Sequence, residues 1–398
     1  MKSLKQLVEN LNSKVMLSDC LDFLRELPTE SVDLIYLDPP FFTQKEHRLT
    51  SRQGEEYSFS DRWNSKNEYL DFLRIRVLEM HRVLKSTGNI FLHCDNNASH
   101  YLRIILDDIF GENNFRSEII WSYKRWSNSS KNLLPNHQVI LYYSKSLRYA
   151  FNVIFTDYSP TTNVDQILQE RARENGKSTY KKDEEGNVIS SGPKRGVPLS
   201  DVWEIPFLNP KAKERTGYPT QKPVELLKRI IEVGSRKGDL VLDPFCGSGT
   251  TLVAAKLMDR QYLGCDINSD AIALTKARLE QPFMTESVLL KKGAQAYNTK
   301  TDYEKAILDE LNCTVVQRNR GIDGIIKNTR KDDLVAVKIQ RQDESIDEAV
   351  SLLVSAGTKR KCKKLVLVAR SDIPKEYPKN MVVLQGFNLQ MKVSQLSK

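Results

Sequence analysis

The chain has 398 residues, 28% of them charged and 40% hydrophobic, with 18 Gly and 15 Pro. That is length for two or three domains, and it excludes a disordered, collagenous or disulfide-stapled protein. Mean hydropathy is −0.47 and no apolar run nears the ~20 residues that cross a bilayer. The start, MKSLKQLVEN, shows no apolar signal region, so a cytoplasmic protein without membrane association is expected. The net charge of +9 points to a polyanionic partner and is unevenly spread: residues 291–398 hold 21 basic against 13 acidic residues, +8, leaving +1 for residues 1–290.

Residues 31–38, SVDLIYLD, form a dense apolar run stopped by Pro39 and Pro40, which suits a buried strand. A helix is predicted over 67–84, a strand in GNIFLHCD after a turn at Gly88, a helix over 99–110 closed by Gly111, and a strand in SEIIWSY. Strands and helices alternating in this way imply a parallel sheet covered on both faces. Periodicity is lost over 151–200, which reads as a structureless charged insert. Order returns with a helix opened by Pro223, a strand DLVLD, a helix TLVAAKLMD and a strand QYLGCD. After a tether around 291–298, residues 299–398 read as a separate small α/β domain: helix, three short strands, helix, two strands. The predicted class is α/β, with one large and one smaller domain.

The six cysteines are scattered without a CxxC pair, and His81, His93, His100 and His137 show no metal spacing, so no metal is expected from them. Chemistry concentrates elsewhere. In DLVLDPFCGSGTTLVAAKLMDRQYLGCD, a strand, a GxG turn at Gly247 and Gly249, a helix and a second strand ending in Asp266 make one unit. Glycines there let backbone approach a ligand, and an acid past the next strand accepts from ribose hydroxyls. The third glycine of a dinucleotide fingerprint is absent, which favours a ligand without a pyrophosphate, such as S-adenosyl-L-methionine. An ordinary strand-to-helix turn is the competing reading. Asp38, Pro39, Pro40 and Phe41 follow the first buried strand, where a carboxylate and a fixed carbonyl can accept from an amine while a ring stacks on a base. Pro-Pro can equally well just end the strand.

Together, DPPF at 38–41 and DPFCGSGT at 243–250 resemble the S-adenosylmethionine-dependent amino-methyltransferases of DNA in the beta order, catalytic motif before cofactor motif. SDCLDFLRELPTESVDLIYLDPPF, GENNFRSEIIW, HQVILYYSKS and TGYPTQKP support the likeness over nearly all of 15–280. The resemblance implies a Rossmann-like methyltransferase domain over 1–290 with target recognition in 151–200, acting on double-stranded DNA by base flipping and direct attack. It implies Asp19 at the cofactor's adenine and Asp266 at its ribose. Asp243, Phe245, Gly247, Gly249 and Thr250, with Thr220 and Lys222, fall at its methionine end. Asp38 and Pro39 are implied to grip the target amine, with Phe41, or Phe42, stacking on the base. Asp38 favours adenine N6, with cytosine N4 as the alternative. A homodimer and a restriction endonuclease partner are also implied.

In the insert, Arg171, Arg173, Lys177, Lys181, Lys182, Lys194 and Arg195 are candidate DNA contacts, and Trp121, Tyr123 and Trp126 candidate stacking surfaces; a solvated loop is the alternative. The second domain resembles a degenerate restriction-endonuclease-like fold, with Asp323 and Lys338 as vestigial nuclease positions. Alanine at 336 stands where a metal-binding acid would be, and Gln340 or Glu304 are the substitutes considered. An active endonuclease, making the chain bifunctional, is the rival reading. Lys359, Arg360, Lys361, Lys363 and Lys364 form a further basic run.

Overall fold

A computed structural model describes residues 13–50, 54, 56–124, 133–157, 168–174, 176–190, 196–209, 212–286, 298–317, 319–326, 334–370 and 376–385. The chain divides into two units, Met1–Lys291 and Lys292–Lys398. Among the described residues no helix is long and apolar enough to cross a membrane.

The first unit contains, in chain order, β1 (Lys14–Leu17), α1 (Cys20–Glu26), β2 (Val32–Leu37), β3 (Lys45–Thr50), β4 (Glu56–Asp61), α2 (Lys66–Val83), β5 (Leu84–Cys94), α3 (Ser99–Phe110), β6 (Phe115–Ser122) and β7 (His137–Ser144). It continues with β8 (Phe155–Thr156), β9 (Arg171–Glu174), β10 (Lys177–Tyr180), β11 (Val197–Pro198), β12 (Val202–Glu204), α4 (Val224–Gly234), β13 (Leu240–Asp243), α5 (Thr250–Leu257), β14 (Gln261–Asp266) and α6 (Ser269–Glu280). Eight strands form one sheet in the order β1-β14-β13-β2-β5-β7-β6-β12.

Alternate residues of the central strands feed two cores, which explains why those strands read as unbroken apolar runs. Ile35, Leu37, Ile90, Leu92, Val139 and Leu141 pack with α1, α2 and α3 on one face. Leu34, Tyr36, Phe91, Ile140 and Tyr142 pack with α4 and α5 on the other. The sheet is mixed, not wholly parallel as the alternation implies, because β7 runs antiparallel to both β5 and β6. β6 and β7 follow each other with no helix between them among the described residues, and without a crossover the chain can only return antiparallel.

Two further expectations change. No turn occurs at Gly88: β5 already starts at Leu84, and the register jumps from Val32↔Leu84 to Leu34↔Asn89, leaving Lys85–Gly88 as a bulge opposite Asp33. A side chain at 88 would meet Leu84 Cδ1 at 2.6 Å and the Asp33 carbonyl at 3.0 Å. The insert over 151–200 is not structureless, since β9 and β10 make an antiparallel hairpin from Arg171↔Tyr180 to Glu174↔Lys177. Bridges Gln169↔Ser190 and Lys182↔Val188 flank it. Polar residues on both faces erase the period-two signal while backbone pairing survives.

The second unit contains α7 (Asp302–Glu310), β15 (Cys313–Val315), β16 (Gly324–Ile326), β17 (Val335–Ile339), α8 (Ile346–Lys359), β18 (Lys364–Ala369) and β19 (Met381–Gln385), and its five strands pair in sequence order. β15, β16 and β17 pair antiparallel, whereas β17, β18 and β19 pair parallel. All but Asn298 of the expected tether lies outside the described residues.

Candidate functional site

Five adjacent parallel strands, β1, β14, β13, β2 and β5, end at one edge, and each ends at or just before an acid: Asp19, Asp266, Asp243, Asp38 and Asp95. Ligands of open α/β sheets bind at this edge. A cavity of about 1700 Å³ lies here, lined by all five acids, by Pro39 to Phe42, by Phe245 to Ser248 with Thr250, and by Tyr218 to Lys222. Three motifs far apart in sequence therefore share one wall system. The space exceeds the ~300–1,000 Å³ typical of a single small-ligand site.

The glycine turn is built to bring backbone forward. Gly247 and Gly249 have φ of 48° and 74°, and a Cβ at 249 would stand 2.5 Å from Thr275. Asp266 fixes this turn, its Oδ2 accepting from the Gly247 N–H at 2.9 Å and its Oδ1 from the Asn268 N–H at 2.9 Å. Burial raises the Asp266 carboxyl above its usual range, against those N–H groups. Asp243 is pushed up to about 7, chiefly by burial, with the Thr251 side chain and the Phe245 N–H pulling the other way. The Thr250 hydroxyl meets Arg278 Nη1 at 3.1 Å and Ser248 Oγ at 3.3 Å, so its local role is to brace the turn. Arg278 also donates to the Ser248 carbonyl at 2.5 Å.

At the β1 end, Asp19 caps α1 through the Leu21 N–H at 2.7 Å and takes Arg76 Nη2 on both oxygens, at 3.0 and 2.8 Å. Burial pushes its carboxyl up, but the Leu21 N–H and the Arg76 guanidinium outweigh it, so it lies below the usual range. Phe245 packs beside Phe72, ring centroids 6.3 Å apart.

Asp38 is held on one side only. Lys222 Nζ donates to Asp38 Oδ2, while Oδ1 is buried without a hydrogen-bond partner. Lys222, implied at the methionine end, thus reaches the DPPF motif; its side chain is only 6% exposed, a buried cation needs a carboxylate, and Asp38 supplies it. Burial raises the Asp38 carboxyl above its usual range, and Lys222 opposes that rise. Tyr36 OH lies 2.8 Å from His93 Nδ1, and that nitrogen is 3.9 Å from Asp38 Oδ1. Burial, then Lys222, holds His93 well below its usual range, so the ring is neutral and no ion pair forms.

The two adjacent phenylalanines both line the cavity. Phe42, at φ 61° and half-buried, also packs against the core with its ring 5.5 Å from Tyr69. Phe41 lies 5.8 Å from the His93 ring, with Lys222 Nζ 5.3 Å from its centroid. Thr220 is exposed, at φ 60°, on the cavity rim.

Sequence reading missed Arg76, His93 and Arg278, which carry no motif and act through a fold that joins distant segments. Trp121 and Tyr123, expected as stacking surfaces, are instead 0% and 5% exposed and pack on Phe207. The Trp121 indole donates to the Ile205 carbonyl at 2.7 Å, so Trp121 is a core residue, whereas Tyr123, though buried, lines the cavity. Trp126, Lys194 and Arg195 lie outside the described residues. Arg171, Arg173, Lys177, Lys181 and Lys182 are exposed on or beside the β9–β10 hairpin, with Lys181 paired to Glu170 at 3.1 Å.

In the second unit, Asp323 and Lys338 are fully buried, Asp323 paired with Lys300 and Lys338 with Glu344 at 3.0 Å. Gln340 donates to the Glu344 carbonyl at 3.0 Å, and Glu304 closes a capping box with Thr301. No group of three or more His, Cys, Asp or Glu among the described residues could hold a metal ion. The run Lys359, Arg360, Lys361, Lys363 and Lys364 is exposed.

A family profile described as DNA methylase matches residues 32–277. A second, described as D12 class N6 adenine-specific DNA methyltransferase, matches residues 221–339. Type II methyltransferase M.HpaI of Haemophilus parainfluenzae is 31% identical over 273 residues, covering 69% of this chain and 76% of that protein. DNA adenine methyltransferase YhdJ of Escherichia coli (strain K12) is 30% identical over 263 residues, covering 66% and 81%. Type II methyltransferase M.HinfI of Haemophilus influenzae is 28% identical over 294 residues, covering 69% and 70%. Asp38 and the glycine turn that shares its cavity both fall inside the first matched span, and the chain belongs to the DNA methylase family.

Proposed function

We propose that this DNA methyltransferase transfers a methyl group from S-adenosyl-L-methionine to adenine N6 in double-stranded DNA. The observation that carries the reading is the divided carboxylate of Asp38, a residue that lines the cavity: Oδ2 is fixed by Lys222, and buried Oδ1 has no hydrogen-bond partner. An exocyclic amine can satisfy that oxygen, which otherwise stays desolvated at a cost of about 1–3 kcal/mol.

The residues present fit the cofactor. Asp19 would meet its adenine, Asp266 its ribose hydroxyls, and the turn from Asp243 to Thr250 its methionine end with Thr220; Asp19, Asp243, Asp266, Thr250 and Thr220 all line the one cavity. When bound, it supplies a methyl group on a positively charged sulfur. Asp38 Oδ1 and the Pro39 carbonyl accept from the target NH2 and orient its lone pair. Phe41 offers a face for stacking, with Phe42, which packs against Tyr69 and also lines the cavity, as the second candidate. Lys222 favours the ionised form of Asp38 against burial and holds Oδ2 in place. A paired base cannot reach a sheet edge, so the nucleotide must leave the stack, at a few kcal/mol. Asp38 within DPPF, the D12 profile and the printed name of YhdJ favour adenine.

The same reading takes the motif order as beta class and the exposed cations of the β9–β10 hairpin as target contacts. It takes the second unit as a decayed nuclease-like module, supported by Ala336 and by the pairing of Asp323 and Lys338 with other side chains. The test is to react duplex DNA with labelled cofactor and analyse the nucleosides by mass. N6-methyldeoxyadenosine is expected; N4-methyldeoxycytidine would overturn the adenine assignment, and no methylated nucleoside would overturn the reading.

A further inference from the structure

The segment after the amine-gripping motif is strained and yet pinned from outside. Phe42 and Gln44 both have left-handed backbone, with φ of 61° and 57°, where side chains other than glycine are disfavoured. Such a turn points successive N–H groups into one concavity, the arrangement that binds anions. The anion here belongs to the chain: Asp61, at the end of β4 and 1% exposed. Its Oδ2 accepts from the Phe41 N–H at 3.1 Å, the Thr43 N–H at 2.8 Å and the Thr43 hydroxyl at 2.6 Å. Its Oδ1 accepts from the Phe42 N–H at 3.1 Å and the Trp63 indole at 2.9 Å. Five donors on one carboxylate exceed what a fold needs to stop a hairpin.

We propose that Asp61 is a positioning residue for methyl transfer: its carboxylate fills the nest of N–H groups at 41–43 and so sets where Phe41 and the preceding Asp38 and Pro39 present themselves. This rests on the reading of 38–41 as the amine grip. The cofactor turn itself is braced by other groups, Asp266 and Arg278, and of the two sides Asp61 bonds directly only to the amine side.

The experiment compares Asp61→Asn and Thr43→Val with the unchanged full chain. The carboxamide keeps the size but aims an N–H at donors, and the valine removes one donor while leaving the backbone contacts. For Asp61→Asn, kcat should fall about thirtyfold, with KM for DNA and the dissociation constant for S-adenosyl-L-methionine within threefold of the unchanged chain. Thr43→Val should show the same split at about threefold in kcat, and it decides the matter if Asp61→Asn does not fold. An unaltered kcat in folded Asp61→Asn, or a loss found only in cofactor affinity, overturns the inference. Asp38→Ala is the control for the underlying reading: if it stays active the amine grip itself is wrong, whereas inactive Asp38→Ala beside normal Asp61→Asn sinks the role of Asp61 alone.

Discussion

Each unit of the chain buries a lysine against an aspartate, and the two pairs are finished differently. In the second unit Lys300 holds Asp323 Oδ1 while the Ile339 N–H donates to Oδ2 at 2.7 Å, so the carboxylate is satisfied at both oxygens and sealed from water. In the first unit Lys222 holds Asp38 Oδ2, and buried Oδ1 has no hydrogen-bond partner, in a residue that lines a large cavity. A closed pair serves the fold. A pair left open at one oxygen is waiting for a donor, because an unmatched buried acceptor is tolerated only where something else can meet it.

The widest separation is expected from removing each aspartate. Asp38→Ala should cut methyl incorporation by about a thousandfold or more, since the amine loses its acceptor, and should also lower stability, because Lys222 loses its carboxylate. Asp323→Ala should leave methyl transfer unchanged and lower the stability of the second unit by about 3–5 kcal/mol, the cost of stranding Lys300 without its partner. Methyl transfer that falls with Asp323, or survives without Asp38, breaks the comparison. Radiolabel transfer and thermal unfolding of both variants are sufficient to decide.

Much of this contrast was legible beforehand, and the part that was not has a physical reason. Asp38, Asp243, Asp266 and the glycines at 247 and 249 announce themselves because strand, turn and acid follow one another along the chain, and the sheet brings their ends to one edge. The element order of the second unit was legible for the same reason. The resemblance puts Lys222 with the cofactor through its neighbours in TGYPTQKP, but its long side chain crosses to Asp38 just after β2, a pairing 184 residues apart that no local pattern encodes. Trp121 looked like a stacking surface because aromatic character is visible in sequence and burial is not. The antiparallel β7 and the polar β9–β10 hairpin escaped because long-range pairing set their direction and partners, not hydrophobic period.

The next test concerns the cofactor side. Asp266→Ala should weaken binding of S-adenosyl-L-methionine by about ten- to a hundredfold in titration calorimetry, the ~1.5–3 kcal/mol of hydrogen bonds to a charged group. It releases the Gly247 N–H and removes the ribose acceptor together. Loss of kcat with unchanged affinity would instead move Asp266 to the amine side of the cavity.

Acidity sharpens the open pair further. Asp38 must be ionised to accept from the amine, and its carboxyl lies above the usual range because burial outweighs Lys222. Activity should therefore fall on acidification at a pH higher than an exposed aspartate would give. Lys222→Met leaves the burial and removes the opposing cation, so the acid limb of the kcat profile should move to still higher pH. A limb that stays in place would mean that another group governs it.

The smallest effect is expected at Asp243, which resembles Asp38 in burial but faces no cation among the causes that shift it. Its carboxyl rises from the ordinary range to about 7 in the folded chain, so folding favours the protonated form. The stability this provides is complete below about pH 4 and is lost as pH rises through about 7, the opposite of a salt-bridged aspartate. Asp243→Asn removes the charge but keeps an oxygen for the Phe245 N–H, which it meets at 3.1 Å. The substitution should raise Tm by several degrees at pH 8 and by clearly less at pH 5, where only part of the penalty has built up. An equal rise at both values would show that packing, and not the buried charge, separates the two proteins.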